Sequence, residues 1–268
     1  MKLVLMGTND FVVPIFEAVH RAGHEIVAVF TRAPKPTGRK QVLTPSPVHV
    51  WAEENGLKVH TNINEYNYGP DMVIVISYGV ILRDNVLSSA PVINIHPSDL
   101  PKYRGPSPIK TALFNGDWES AVCLMQVTPE LDAGDVFMRV PFAIGENDTN
   151  EIIEKRVSEI GANMLVEYLS APAKYTAVPQ NGDATYTRKF TGDDEIIDWS
   201  HDVRDIHNQI RALGCGRTKI NGIEVKILET KMENDKLHIV RIQPAGKKPM
   251  DWKSFLNGLR GEAISMGE

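Results

Sequence analysis

Asn94 and His96 stand two residues apart at the end of the apolar run that begins at Val92. Asp132 follows His96 by 36 residues, inside Leu131-Asp132-Ala133-Gly134-Asp135. In an extended strand, residues i and i+2 share a face. An amide donor and an imidazole are therefore expected side by side at the carboxyl end of a strand. Pro97 has no backbone N–H to give a ladder and turns the chain out of the sheet. An amide, a titratable ring and a carboxylate suffice to move an acyl group onto an amine. A plainer reading fits the same spacing: a hydrogen-bonded structural histidine, an asparagine ending a strand, and an aspartate serving the turn before Gly134. Spacing alone leaves both open.

The elements that must position these residues are legible in the flanking patterns. Lys2–Met6 reads as a strand, and Asp10 as the cap of a helix from about Phe11 to Ala22, with Pro14 in its first turn and Gly23 past its end. Ile26–Phe30, Met72–Ile76, Val92–Asn94 and Val122–Val127 are β-rich runs of the kind buried in a sheet. Ile153, Val157, Ile160, Met164 and Tyr168 recur at spacings of four and three, which predicts an amphipathic helix over 151–169, opened by a capping box of Asp148 and Glu151. Strands alternating with helices predict an α/β fold, a Rossmann-like, doubly wound, mostly parallel sheet over 1–171. Gly7-Thr8-Asn9-Asp10 lacks the three glycines that close approach to a dinucleotide pyrophosphate requires.

Thr31 to Pro47 holds four prolines together with Arg32, Lys35, Arg39 and Lys40, and is expected to be a long exposed basic loop. Residues 172–192 read as a linker. Beyond it come a short helix at 202–213, a hairpin around Asn221-Gly222 and a strand at 236–243. A smaller β-rich domain, an OB-like barrel, is expected over 193–268.

Composition excludes several classes. The chain has 268 residues, enough for two compact units, with 42% hydrophobic and 24% charged residues. Its longest apolar run, Met72 to Ile76, is far below the ~20 residues of a membrane span. The amino terminus is too short in apolar residues for a signal peptide, so a cytoplasmic location without a membrane partner is expected. Cys123 and Cys215 give neither a disulfide framework nor a metal-ligand spacing, and Cys123 reads as a buried inert thiol. The net charge of −5 argues against indiscriminate nucleic-acid binding. The charge is uneven: residues 184–268 carry 14 Lys and Arg against 13 Asp and Glu, the preceding part 15 against 21.

The run from Asn94 to Ile109, Asn-Ile-His-Pro-Ser-Asp-Leu-Pro-Lys-Tyr-Arg-Gly-Pro-Ser-Pro-Ile, resembles the signature of the folate-dependent formyltransferases. Leu131–Asp135 is similar to that family's second motif. The Thr31–Val48 loop and the tail Arg241 to Met250 resemble segments of members that act on an aminoacyl-tRNA. The resemblance covers nearly the whole chain. It implies a catalytic domain at 1–171 that transfers a formyl group from 10-formyltetrahydrofolate to the α-amine of methionine carried by initiator tRNA. Catalysis would fall to Asn94, His96 and Asp132, with no metal and no covalent intermediate. Folate contacts are implied at Tyr78, Gly79, Val80, Ile81, Leu82, Gln126 and Leu131. Pro97, Arg104, Gly105 and Gly134 would shape the site. Contacts to tRNA are implied at Arg39, Lys40, Lys247 and Lys248, and a monomer is expected.

The chain departs from the family at Leu213-Gly-Cys-Gly-Arg-Thr218, where an aromatic- and proline-bearing stretch is usual. That leaves formyl transfer intact and bears on the tRNA contacts. Other readings of the trio are a formyltransferase acting on an amino sugar nucleotide, a folate-dependent hydrolase releasing formate, and an inactive folate- or RNA-binding module.

Overall fold

A computed structural model describes residues 1–38, 40–259 and 263–267. The elements run, in order, β1 (Lys2–Gly7), α1 (Val13–Arg21), β2 (Glu25–Phe30), β3 (Lys35–Thr37), β4 (Val42–Thr44), α2 (Pro47–Glu54), β5 (Val59–His60), β6 (Met72–Ile76), α3 (Asp84–Leu87), β7 (Val92–His96), α4 (Pro108–Phe114), β8 (Glu119–Gln126), β9 (Val136–Ala143) and α5 (Asn150–Ser170). They continue with α6 (Val203–Leu213), β10 (Gly216–Ile220), β11 (Ile223–Glu233), β12 (Lys236–Pro244), β13 (Met250–Asp251) and α7 (Trp252–Gly258). The chain divides into two compact units. Unit 1 comprises 1–106, 121–141 and 154–186; unit 2 comprises 107–120, 142–153 and 187–268. No described helix is long and apolar enough to cross a membrane.

Unit 1 is built on a sheet ordered β5-β2-β1-β6-β7-β8-β9. The first five strands are parallel; β8 runs antiparallel to β7. Alternation assigns its side chains to two covered faces. Val4, Met6, Ala28, Phe30, Val73 and Val92 form one apolar cluster with Tyr66 and Val86. On the opposite face Gly161 of α5 comes close to Ile15 of α1 and Ile95 of β7, so a Cβ there would lie 3.1 to 3.3 Å from both. Burial on both faces explains why these strands read as continuous apolar runs.

Unit 2 carries the smaller β-rich domain expected from the sequence, built on a four-stranded antiparallel sheet ordered β10-β11-β12-β13. Asn221 and Gly222, at φ +48° and +71°, make the tight β10–β11 turn, the left-handed pair that an Asn-Gly dipeptide supplies. Ile206 and Ile210, one turn apart on α6, pack against Ile220, Val225, Ile227, Ile242 and Phe255. Each fully buried isoleucine contributes roughly 2 kcal/mol.

Local expectations were corrected at four places. Asp10 caps nothing; a 3-10 turn over Asp10–Val12 precedes α1. Asp148 closes a turn by accepting the Gly145 N–H at 2.8 Å, and the Thr149 hydroxyl, at 3.4 Å from the Ile152 N–H, stands nearest the role of capping α5. The proline-rich loop contains a hairpin, β3 with β4, because Pro36 sits in a two-stranded ribbon where its missing N–H costs no central ladder. The stretch expected as a linker is hydrogen-bonded into unit 1 as far as Tyr186: Val178 bridges Val136, and Tyr186 bridges Arg104.

Candidate active site

Strand β7 brings Asn94 and His96 to its carboxyl end, paired through Asn94 to Val75 and Met125 and through His96 to Cys123. The Asn94 amide is half-buried and makes no hydrogen bond to a described residue. His96 is only 4% exposed. Its Nε2 lies 3.0 Å from the Tyr103 carbonyl, which can only accept, so Nε2 carries the proton and donates it. Nδ1 is thereby the nitrogen left for chemistry, and it faces Oδ2 of Asp132 at 3.7 Å.

Asp132 reaches this position from the other side of the antiparallel pair. After β8 the chain turns through Thr128 to Gly134, with Asp132 in the left-handed region at φ +48°. Its Oδ2 accepts the Gly105 N–H at 2.7 Å. Gly134 is compelled: a Cβ there would lie 1.9 Å from the Gln126 carbonyl oxygen, nearer than any real contact. The loop after β7 is held as firmly. The Tyr103 N–H donates to Thr185 Oγ1 at 2.9 Å and the Arg104 N–H to the Thr185 carbonyl at 2.8 Å.

The remaining expected residues fall as follows. Pro97 is half-buried directly after β7. Tyr78 is buried, its carbonyl near Thr8 Oγ1, and burial pushes its phenol up. Gly79 turns the chain at φ +75°, and Val80, Ile81 and Leu82 run on without helix before α3. Leu82 packs inward, whereas Ile81 is 89% exposed and Leu131, beside Asp132, is 58% exposed. Gln126 is exposed at the end of β8, its N–H on the Asp135 carbonyl. Apolar surface is thus left bare after the carboxyl end of β6, where doubly wound sheets take their ligands, and in the turn after β8. Lys40 is exposed in the β3–β4 turn; Arg39 lies outside the described residues. Lys247 and Lys248 are exposed between β12 and β13, with the Lys247 carbonyl accepting from Gln243. Burial raises the Cys123 thiol above its ordinary value, as an inert core cysteine requires.

One residue of this constellation escaped the sequence reading. Gln180 donates from Nε2 to the carbonyls of both Asp132 and Gly134, each at 2.8 Å, and its Oε1 accepts from Arg104 Nη2 at 2.8 Å and Nε at 3.1 Å. Arg104 also reaches Glu130 at 3.3 Å. A glutamine in a proline- and glycine-rich stretch carries no periodic signal that would have marked it. Separately, unit 2 contains an open cavity of about 540 Å³ lined in part by Arg217, Lys219, Lys226 and Gln243; none of the three polar residues belongs to it.

The sequence pattern of the family described as formyl transferase matches residues 1–169, and that of the formyl transferase C-terminal domain matches residues 189–238. The chain belongs to the formyl transferase family. It is 35% identical to the methionyl-tRNA formyltransferase of Jannaschia sp. strain CCS1, with 97% of both chains aligned. Against the enzyme of the same name from Fusobacterium nucleatum it is 36% identical over 89% of this chain and 82% of that one. Solved structures share the fold. An N-formyltransferase from Helicobacter canadensis, in complex with folinic acid and dTDP-3-aminofucose, superposes with a TM-score of 0.69 at 23% identity, covering 87% of this chain and 88% of that one. Methionyl-tRNA formyltransferase from Clostridium thermocellum gives 0.64 at 17% identity, covering 91% and 98%.

Proposed function

We propose that this chain transfers a formyl group from 10-formyltetrahydrofolate to the amino group of methionine on initiator methionyl-tRNA. What carries the reading is that relatives named methionyl-tRNA formyltransferase, 31% to 36% identical, align along both units. The solved sugar N-formyltransferases share only the fold, at 23% identity or below.

The residues support a direct transfer. The amine nitrogen attacks the formyl carbon, a C–N bond forms, and the carbonyl oxygen becomes an oxyanion. Asn94, whose amide is uncommitted, donates to that oxygen; one such donor is worth about 3 kcal/mol of barrier. His96 Nδ1, its partner nitrogen tied to Tyr103, takes the amine proton, and the Asp132 carboxylate stabilises the imidazolium. The proton then passes to the departing folate nitrogen as its bond to the formyl carbon breaks. The products are formylmethionyl-tRNA and tetrahydrofolate. Folate binds along Tyr78 to Leu82, after β6, and along Gln126 and Leu131, around the turn after β8. Arg39, Lys40, Lys247 and Lys248 supply phosphate contacts, which give affinity and register without reading bases.

Purified protein with radiolabelled 10-formyltetrahydrofolate, offered methionyl-initiator tRNA beside an amino sugar nucleotide, tests the reading. Label on methionine upholds it. Label on the sugar alone keeps the chemistry and overturns the substrate; label on neither overturns both.

A further inference from the structure

We infer that Gln180 is the positioning residue that aims Asp132, so that the segment after α5 belongs to the catalytic apparatus. The geometry leaves its amide one orientation. Its Oε1 faces a guanidinium, which can only donate, and its Nε2 faces two carbonyls, which can only accept. The two carbonyls are those of Asp132 and Gly134, on either side of Ala133. Asp132 is held at positive φ, a conformation that a non-glycine residue keeps only when its surroundings impose it. A single side chain therefore fastens both ends of the strained turn. Arg104 fixes that side chain from behind while also reaching Glu130 in the same turn. Arg104 is in turn fixed by its own N–H on Thr185, five residues beyond Gln180. The ring closes on itself: Gln180 holds the turn that bears Asp132, and Asp132 Oδ2 takes the N–H of Gly105, the residue after Arg104.

Gln180 touches neither nitrogen of His96 nor any atom placed for the formyl group, so it acts through Asp132. A displacement of about 1 Å in a reacting group can cost around 10²-fold in rate. The inference rests on the proposed transfer for its kinetic readout but not for its geometry. Gln180→Glu keeps the shape and the pairing to Arg104, removes both donors, and sets a carboxylate against two carbonyls.

The test compares wild type, Gln180→Glu, Asp132→Asn and the double variant in formyl transfer, together with amide hydrogen exchange at Gly105. Expected for Gln180→Glu are a kcat about 10²-fold lower, KM values for folate and acceptor within about threefold of wild type, and Gly105 exchange faster by about tenfold as its charge-assisted bond loosens. In the Asp132→Asn background the same substitution should cost nothing further, since both act through one carboxylate. A full multiplicative loss in that background, an unchanged kcat, or unchanged exchange at Gly105 overturns the inference. Gln180→Met, of similar length and without hydrogen bonds, is judged by the same criteria if the glutamate variant does not fold. Should wild type fail to formylate methionyl-tRNA, the substrate reading falls alone, and exchange at Gly105 still decides the role of Gln180.

Discussion

Nδ1 of His96 and Oδ2 of Asp132 lie 3.7 Å apart, and the same oxygen accepts the Gly105 N–H at 2.7 Å. The carboxylate is therefore oriented before any proton arrives between the two side chains. In the proposed transfer this carboxylate would stabilise the imidazolium formed when the amine gives up its proton.

Asp132→Asn separates orientation from charge. The Asn oxygen can still accept from Gly105, so the turn and the thermal midpoint should change little. Turnover should fall by about 10³-fold, the scale of losing a positioned proton-transfer partner. Steady-state kinetics and a melting curve on one preparation check both; equal activity with wild type would remove Asp132 from the mechanism.

Replacing Asn94 by Ala should lower kcat by about 10²-fold while leaving the Michaelis constant for folate nearly unchanged, because an oxyanion donor acts only once the tetrahedral centre forms. If the loss falls on the Michaelis constant instead, the amide is a binding group.

Gly134→Ala is a folding test of the Asp132 turn. The added Cβ would meet the Gln126 carbonyl at 1.9 Å, and backbone cannot yield as a flexible side chain does. A destabilisation of about 3 kcal/mol or more is expected, read by denaturant titration.

His207 sets a pH dependence. It is buried on α6, near Thr230 Oγ1 at 2.8 Å and the Glu146 carbonyl at 3.0 Å. Burial pushes its ring below the usual histidine value; the bond to the Glu146 carbonyl opposes this, and the Arg211 and Arg204 charges reinforce it. The unfolded chain consequently takes up a proton at higher pH than the folded one. Stability contributed by neutral His207 is present above the unfolded value of about 6.5 and is lost as pH falls from there toward the lower folded value. Melting temperatures measured between about pH 8 and 5 should fall on acidification, and His207→Gln should flatten that slope.

Lys247→Ala with Lys248→Ala should weaken tRNA binding and reduce the magnitude of its salt slope by about two, with folate kinetics unaffected. An unchanged slope would place the tRNA backbone elsewhere on the chain.

The alternation of apolar runs made the parallel sheet legible, since strands buried on both faces announce themselves: Met72–Ile76 stands where the sequence puts it. The 3.6-residue period did the same for α5, and Asn221-Gly222 for its turn. What stayed hidden was whatever depends on partners remote in sequence. Asp148 has the right type and spacing for a cap, but the nearer Gly145 N–H takes its oxygen. Pro36 reads as a loop residue because nothing local reveals the two-stranded ribbon that tolerates it. At the candidate site, Asn94, His96 and Asp132 stand out in the sequence through their motifs and Gly134 through its position. Gln180 was not, because its meaning lies wholly in two carbonyls 46 and 48 residues away.

The segment from Val178 to Tyr186 also bears on how the enzyme could be cut down. The family pattern matched over unit 1 stops at residue 169. A fragment ended at Ser170 would retain the whole seven-stranded sheet and all three polar side chains. It would lack the bridge to Val136, both Thr185 bonds to the loop after β7, and the amide that fastens the Asp132 turn. Compared with a chain carried on to Tyr186, such a fragment should hold the Asp132 turn more loosely, read as faster amide exchange at Gly105. The side chain that fastens the Asp132 turn thus lies beyond the stretch that the family pattern covers.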